Sequence, residues 1–390
     1  MRIGIISSGT PTDRIPPVYG GGIQKYVWNL AKELNKRGHQ IHIFTHQKPS
    51  QSKEEVRNGI NIHRISHHLK KSPFSTMIFG FKVVFRMLGI QKRTGRFQIV
   101  HAQSRVSAII AQLLFPFKIP FIFTAHNWDV ALTIPGNFIP LFTYYLLFCI
   151  EKNVYKKSDM IVTLTKSFQK ILVHRYKIPL DKIQTIPNMT GMTEQSEKKV
   201  SLSPLIESIE AEPYILYIGR LESEKGLGFL LDNFRQIQKD ENYLNLVIVG
   251  GGSLKKTLIK KINTFDIKDK IHILGVIHEN QLKRLLSKAQ ALILPSKFEI
   301  MPTVVLESWA VGCPVIVRNY HGIKELIQHN ITGMIFNNSK ALVECVQELL
   351  SNNKLRQALK KNAQMQLYSS YIAPRVTEQL ITLYHRLLKR

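Results

Sequence analysis

Tyr214-Ile215-Leu216-Tyr217-Ile218-Gly219-Arg220-Leu221-Glu222-Ser223-Glu224-Lys225-Gly226 is a short apolar run closed by glycine, followed by a charged turn. A helical pattern over 227–238 comes next. Apolar side chains on both faces of so short a run describe a strand buried on both sides, as in a parallel sheet covered by helices. The same unit recurs on either side of it. Residues 244–250, 270–275 and 291–295 read as further strands, with a helical segment at 254–261. Upstream, 2–7, 40–45, 97–101 and 120–124 read as strands. Between the first two lies a helix over 24–37, with Val27, Leu30, Ala31 and Leu34 at i, i+3, i+4, i+7 and Gly38 as its stop. A polar, acidic stretch without periodicity at 193–212 separates the two series. The expectation is an α/β protein of two doubly wound, Rossmann-like domains, 1–192 and 213–370, joined by a linker at 193–212 and facing across a cleft. A length of 390 residues agrees, since one core rarely fills so long a chain.

The charge is uneven. The chain holds 54 Lys and Arg against 27 Asp and Glu, a net of +27. Residues 1–200 carry 29 basic and 10 acidic side chains, a net of +19, against +8 in the rest. An anionic partner is implied: an acidic membrane surface, a phosphorylated small molecule or nucleic acid. No helix-turn-helix, zinc finger or aromatic RNA-binding signature is present, so nucleic acid is set aside. Cys149, Cys313 and Cys345 have no metal-binding spacing and are too few for a disulfide framework, which points to a reducing compartment. The apolar run after Met1 is too short for a signal peptide and reads as a buried strand. The densest uncharged stretch, 138–150, is shorter than the ~20 residues that span a bilayer.

Four loops at strand ends could carry chemistry. Gly20-Gly21-Gly22 precedes the first helix, where glycine admits close backbone approach and a helix N-terminus favours phosphate. A Gly-rich connector is the plainer alternative for any such loop. Gly250-Gly251-Gly252-Ser253 reads better as a structural turn. Arg220 and Lys225 leave one strand end together, a bidentate fork and a point charge able to grip a diphosphate. In Pro295-Ser296-Lys297-Phe298-Glu299-Ile300-Met301-Pro302-Thr303-Val304-Val305-Leu306-Glu307, Pro302 suits the first turn of a helix. The free amides of Thr303 and Val304 would then form an anion site between two carboxylates, Glu299 in the loop and Glu307 on the helix. A sugar on one and a ribose on the other would satisfy both.

The set together resembles the retaining glycosyltransferases of family 4, with the two-domain GT-B fold, over nearly the whole chain. The carrying residues are Gly21-Gly22-Ile23-Gln24, Val100-His101-Ala102, Thr124-Ala125-His126, Ile186-Pro187-Asn188, Gly219-Arg220 with Glu224-Lys225-Gly226, Leu274-Gly275-Val276-Ile277, and Glu299 with Glu307. The resemblance implies a nucleotide-sugar donor held mainly by the second domain, with the acceptor in the first. Arg220 and Lys225 would meet the diphosphate, Gly275 and Ile277 the base, Glu307 the ribose and Glu299 the sugar. His126 would sit against the sugar, and Gly21 and Gly22 would let the first loop close on phosphate. A C-terminal helix, 371–390, would return to the first domain. His126 and Glu299 are the candidate catalytic residues, as positioners of the sugar. Ile300-Met301 departs from the family's usual Gly-Phe. No Asp-x-Asp stands near a strand end, so neither a metal nor any other cofactor is expected. A non-catalytic relative that binds sugar or a partner protein is the alternative function.

A last feature is a basic stretch, 70–96. It holds Lys70, Lys71, Lys82, Arg86, Lys92, Arg93 and Arg96 without an acid, interleaved with Phe74, Met77, Ile78, Phe81, Phe85 and Leu88. It resembles an interfacial amphipathic segment, which would hold the protein at the cytoplasmic face of a membrane, beside a lipid or lipid-linked acceptor of cell-envelope glycan synthesis. The other reading is a helix packed on the first sheet with its cations in water.

Overall fold

The computed structural model describes residues 1–7, 15–17, 21–48, 51–66, 73–103, 119–126, 141–192 and 204–389. They fall into two compact units. One contains Met1–Pro17, Gly21–Met189 and Ala373–Arg390, and the other Thr190–Ile372.

The first unit is built on β1 (Arg2–Ile6), β2 (Gln40–His46), β3 (Glu54–Arg57), β4 (Ile60–Ile65), β5 (Ile99–Ala102), β6 (Phe121–Ala125), β7 (Met160–Thr163) and β8 (Ile183–Thr185). Their order is β3-β4-β2-β1-β5-β6-β7-β8, parallel except for β3, which runs antiparallel to β4. The chain builds outward from β1 in one direction, then returns to start again at β5. That reversal leaves a crevice at the carboxyl ends of β1 and β5, the place where open α/β sheets bind ligands. On one face, Tyr26, Val27, Leu30 and Leu34 of the helix Gly22–Lys36 share a core with Val376, Leu380, Leu383 and Tyr384 of the helix Ala373–Leu388. The returning helix is thus part of the first unit. Gly4 serves the other face, since a Cβ there would lie 2.9 Å from Met87 Cε of the helix Pro73–Thr94.

The second unit contains β9 (Tyr214–Ile218), β10 (Asn245–Val249), β11 (Ile271–Gly275), β12 (Ala291–Leu294), β13 (Val315–Arg318) and β14 (Met334–Phe336). Their order is β11-β10-β9-β12-β13-β14, and every pairing is parallel. Here the reversal falls between β9 and β12. Five strands were not singled out from the sequence besides the β3–β4 hairpin's first member: β4, β7, β8, β13 and β14. The segment 193–212, expected to be the linker between the two domains, contains the helix Pro204–Glu210. Ile206 and Ile209 are buried, and Glu210 pairs with Arg284 at 2.8 Å, so this helix belongs to the second unit.

Candidate active site

In the second unit, the turn after β9 and the loop after β12 meet at the sheet's reversal. Backbone contact fixes the approach: Lys297 N donates to Glu224 O at 2.9 Å. Gly226 makes it possible. Its φ is +70°, and a Cβ there would stand 2.2 Å from the Pro295 carbonyl oxygen. Lys225 comes next to Glu299 as a result, and the two form an ion pair. Ser296 Oγ donates to the same carboxylate at 3.1 Å. Side-chain exposure is only 13% for Lys225 and 22% for Glu299, so each charge depends on the other for neutralisation. Arg220 is 67% exposed and pairs with Glu224 at 2.8 Å.

The loops after β10 and β11 stack beside this turn. Gly250, with φ +141°, would carry a Cβ 1.8 Å from Gly219 O, and Gly250 N donates to Gly275 O at 2.7 Å. The Gly250–Gly252 run is accounted for by this packing. Gly275 ends β11 with φ +71°; Val276 after it is exposed and Ile277 half-buried. Pro302 occupies the cap position rather than the first turn of the helix Thr303–Ala310, which leaves Thr303 and Val304 as the first helical residues, both half-buried. Glu307 is 5% exposed. Sequence reasoning missed Ser296, whose only signal was its place three residues before Glu299.

In the first unit, Gly21 caps the helix Gly22–Lys36 with φ 112°, a conformation that favours glycine. One turn on, the Tyr26 ring meets the His126 ring edge-on, with centroids 4.8 Å apart. His126 stands one residue past β6, and its Nε2 bonds Gln103 Oε1 at 2.6 Å. Beneath them, His101 Nε2 bonds Thr124 Oγ1 at 2.6 Å, and His101 Nδ1 bonds Tyr384 OH at 2.7 Å. Burial lowers both histidines to about 3, so both rings are neutral near pH 7. Gln103 and Tyr384 were not foreseen. Gln103 is two residues beyond His101 and therefore on the same face of β5, but Tyr384 lies 283 residues away and left no local signal.

Lys70 and Lys71 lie outside the described residues. The rest of the basic segment divides. Phe79, Val83, Val84, Met87 and Ile90 of the helix Pro73–Thr94 are buried. On its other side Phe85 is 70% and Phe81 41% exposed, with Lys82, Lys92 and Arg93 exposed nearby. Arg86 departs from the expectation of a free cation: it pairs with Glu54, which also bonds His63. Among the described residues no helix is long and apolar enough to cross a membrane.

Two parallel α/β units with these reversals are the GT-B architecture. Sucrose-phosphate synthase from Thermosynechococcus elongatus has the same fold, with a TM-score of 0.83 at 20% identity over 100% of this chain and 99% of that one. Anabaena HepE, solved in complex with UDP-glucose, superposes with a TM-score of 0.74 at 14% identity over 99% and 100% of the two chains. Residues 20–190 match Glycosyltransferase Family 4, and residues 204–366 match Glycosyl transferases group 1. The chain belongs to these glycosyltransferases. In sequence it is similar to N-acetyl-alpha-D-glucosaminyl L-malate synthase of Bacillus anthracis, 24% identical over 96% of each chain.

Proposed function

We propose that this glycosyltransferase moves a hexosyl group from a nucleoside-diphosphate sugar to an acceptor hydroxyl with retention of anomeric configuration. The observation that carries the proposal is the Lys225–Glu299 pair at the reversal of the second sheet, a cation and a carboxylate held together where a phosphate and a sugar would adjoin. Lys225 and Arg220 grip the diphosphate, and the amides of Thr303 and Val304 add a helix N-terminus to it. Glu299 receives sugar hydroxyls, Glu307 the ribose, and Gly275 and Ile277 border the base. From the first unit, His126 meets the sugar, and Gly21 and Gly22 let backbone approach phosphate. In the transfer, the C1–O bond to the diphosphate breaks and the acceptor oxygen bonds C1 on the same face. The acceptor proton passes to the departing phosphate oxygen. Cations and amides stabilise the negative charge that develops there, so the reaction runs without a divalent metal and survives EDTA.

The acceptor is a lipid or lipid-linked sugar of cell-envelope glycan synthesis, met at the cytoplasmic face of a membrane. Support comes from the +19 charge of residues 1–200 and from Phe81 and Phe85 standing exposed among Lys82, Lys92 and Arg93. The decisive experiment incubates the purified protein with a panel of nucleotide sugars and lipid-linked or soluble acceptors, reading nucleotide release and product anomer. Release that needs a lipid acceptor and gives the donor's anomer supports the reading. No release with any donor, beside intact sugar binding, would identify a non-catalytic relative.

A further inference from the structure

His101 with Thr124, and Gln103 with His126, are two rungs of one polar ladder. β5 and β6 pair in parallel with His101 opposite Ile122, so Thr124, two residues further along the same face of β6, meets His101 diagonally. Residues two apart point to the same face, so the rung His101–Thr124 repeats as Gln103–His126 one step nearer the strand ends. The lower rung is closed, because Thr124 and Tyr384 occupy both ring nitrogens of His101. The upper rung is open. Gln103 is 3% exposed, its Oε1 is bonded to His126 Nε2, and its Nε2 has no hydrogen-bond partner among the described residues. A buried amide donor without an acceptor is costly, and native folds seldom keep one without a use for it. His126, neutral because of burial and donating from Nε2, keeps its lone pair on Nδ1. The rung therefore offers one donor and one acceptor from adjacent strand ends, the complement of carbohydrate hydroxyls, which both accept and donate.

We propose that Gln103 is a substrate-contacting residue: its amide N–H donates to a carbohydrate hydroxyl oxygen, while its carbonyl holds His126 as the Nε2–H tautomer, leaving Nδ1 to accept from a hydroxyl of the same carbohydrate. The inference rests on the placement of His126 against sugar proposed above, and adds a second residue and a tautomer to it. It also gives a physical reason for a glutamine here, since a leucine of similar size could do neither task.

The test compares wild type with Gln103→Leu and Gln103→Glu. Nitrogen-15 spectra of histidine-labelled protein, with the His126 signals assigned by their loss in His126→Gln, report the tautomer. Steady-state kinetics report kcat and KM on whichever donor is turned over. The wild type should show Nε2–H at His126, and Gln103→Leu should show a mixture of tautomers. Gln103→Leu should lower kcat/KM by about tenfold, the worth of a hydrogen bond to substrate, with affinity for the bare nucleoside diphosphate unchanged. Gln103→Glu, closest in shape and so the safeguard against misfolding, should restore the tautomer but not the activity, and should move the acidic limb of the pH profile upward because a carboxylate favours imidazolium. An Nδ1–H tautomer in the wild type, or unchanged kcat and KM in Gln103→Leu, would overturn the proposal. If no donor is turned over, the glycosyltransfer reading fails by itself, and the tautomer still decides whether Gln103 sets His126.

Discussion

Lys225 and Glu299 show how one pair can set two opposite mutational effects. The ammonium is neutralised by Glu299 in a partly buried site. An incoming diphosphate must compete with that carboxylate for Lys225. Lys225→Ala should therefore weaken nucleoside diphosphate binding by about 1.5–3 kcal/mol, the range for a hydrogen bond to a charged group. Glu299→Gln should strengthen it by ~1 kcal/mol, the order of a partly exposed ion pair, while sugar transfer falls because an acceptor of sugar hydroxyls is lost. Calorimetric titration of UDP, GDP and ADP into the two variants checks both signs. Equal losses in both would mean that Glu299 supports Lys225 rather than competing for it. At this scale the sequence was informative where chemistry repeats over a short span: Lys225 on a strand-end turn and Glu299 ahead of a helix were legible. Their direct pairing was not, because 74 residues separate them and only the approach of two loops at Gly226 joins them.

Among the elements, the helix Ala373–Leu388 belongs to the first unit although the preceding residues belong to the second. Leu380, Leu383 and Tyr384 are buried in the first unit's core, and the Tyr384 hydroxyl bonds His101. Tyr384→Phe should cost the first unit ~1–3 kcal/mol by leaving a buried ring nitrogen unpaired. Leu380→Ala should cost about 2–5 kcal/mol by cavity formation. Neither should alter nucleotide affinity. Urea unfolding alongside UDP titration checks this, and a loss of UDP binding in Tyr384→Phe would contradict it. The helix Pro73–Thr94 makes a different prediction. One side is buried and the other exposes Phe81 and Phe85. Binding to vesicles rich in anionic lipid should fall when Phe81 and Phe85 become Ser, and also when Lys82, Lys92 and Arg93 become Gln. It should weaken as salt shortens the field to ~8 Å at physiological ionic strength. Flotation over a salt series checks it, and indifference of wild type to vesicles at low salt would remove the membrane surface. Replacing Arg86 should matter less to lipid, since its charge is spent on Glu54.

For the whole molecule, acid should strike the two units unequally. Burial lowers His42 to about 4 and His101 and His126 to about 3, and lowers His63 as well; all four are in the first unit. In the second unit His272 is lowered, again first by burial. An unfolded histidine titrates near 6.5. Below that pH the unfolded first unit takes up protons that its folded form refuses, so its stability falls as pH drops from about 6.5 toward 4. Glu54 beside His63, with Arg86 and Arg93 nearby, and Arg2 near His42 modify this loss without reversing it, since burial is the largest cause in each case. Thermal unfolding of a Trp309→Phe variant, which keeps indole only in the first unit, should shift to lower temperature between pH 7 and 4.5 more than unfolding followed through Trp309 alone. Equal shifts would count against this assignment.

Strand–helix alternation, the restart of that pattern and the loops that carry charge at strand ends were decided by the sequence itself. Each depends on residues within a few positions of one another: apolar runs such as Tyr214–Ile218, glycine stops and an N-terminal helix signal. Met160–Thr163, Ile183–Thr185 and the charged edge strand Glu54–Arg57 escaped it because so few residues show no period. The six-residue Ile60–Ile65 escaped as well, since Asn61, His63 and Arg64 break up its apolar side chains. The helix Pro204–Glu210 escaped for the same reason: seven residues with acids at two of them resemble a polar connector until Ile206 and Ile209 find a core. Tertiary structure alone decided the sheet orders, and with them which strand ends face the reversal. It also decided the partners of Lys225, His101 and Arg86, the open amide of Gln103, and which phenylalanines of a basic helix remain in solvent. All of these depend on contacts between residues far apart in the chain, and such contacts are set by the packing of elements rather than by the pattern within any one of them.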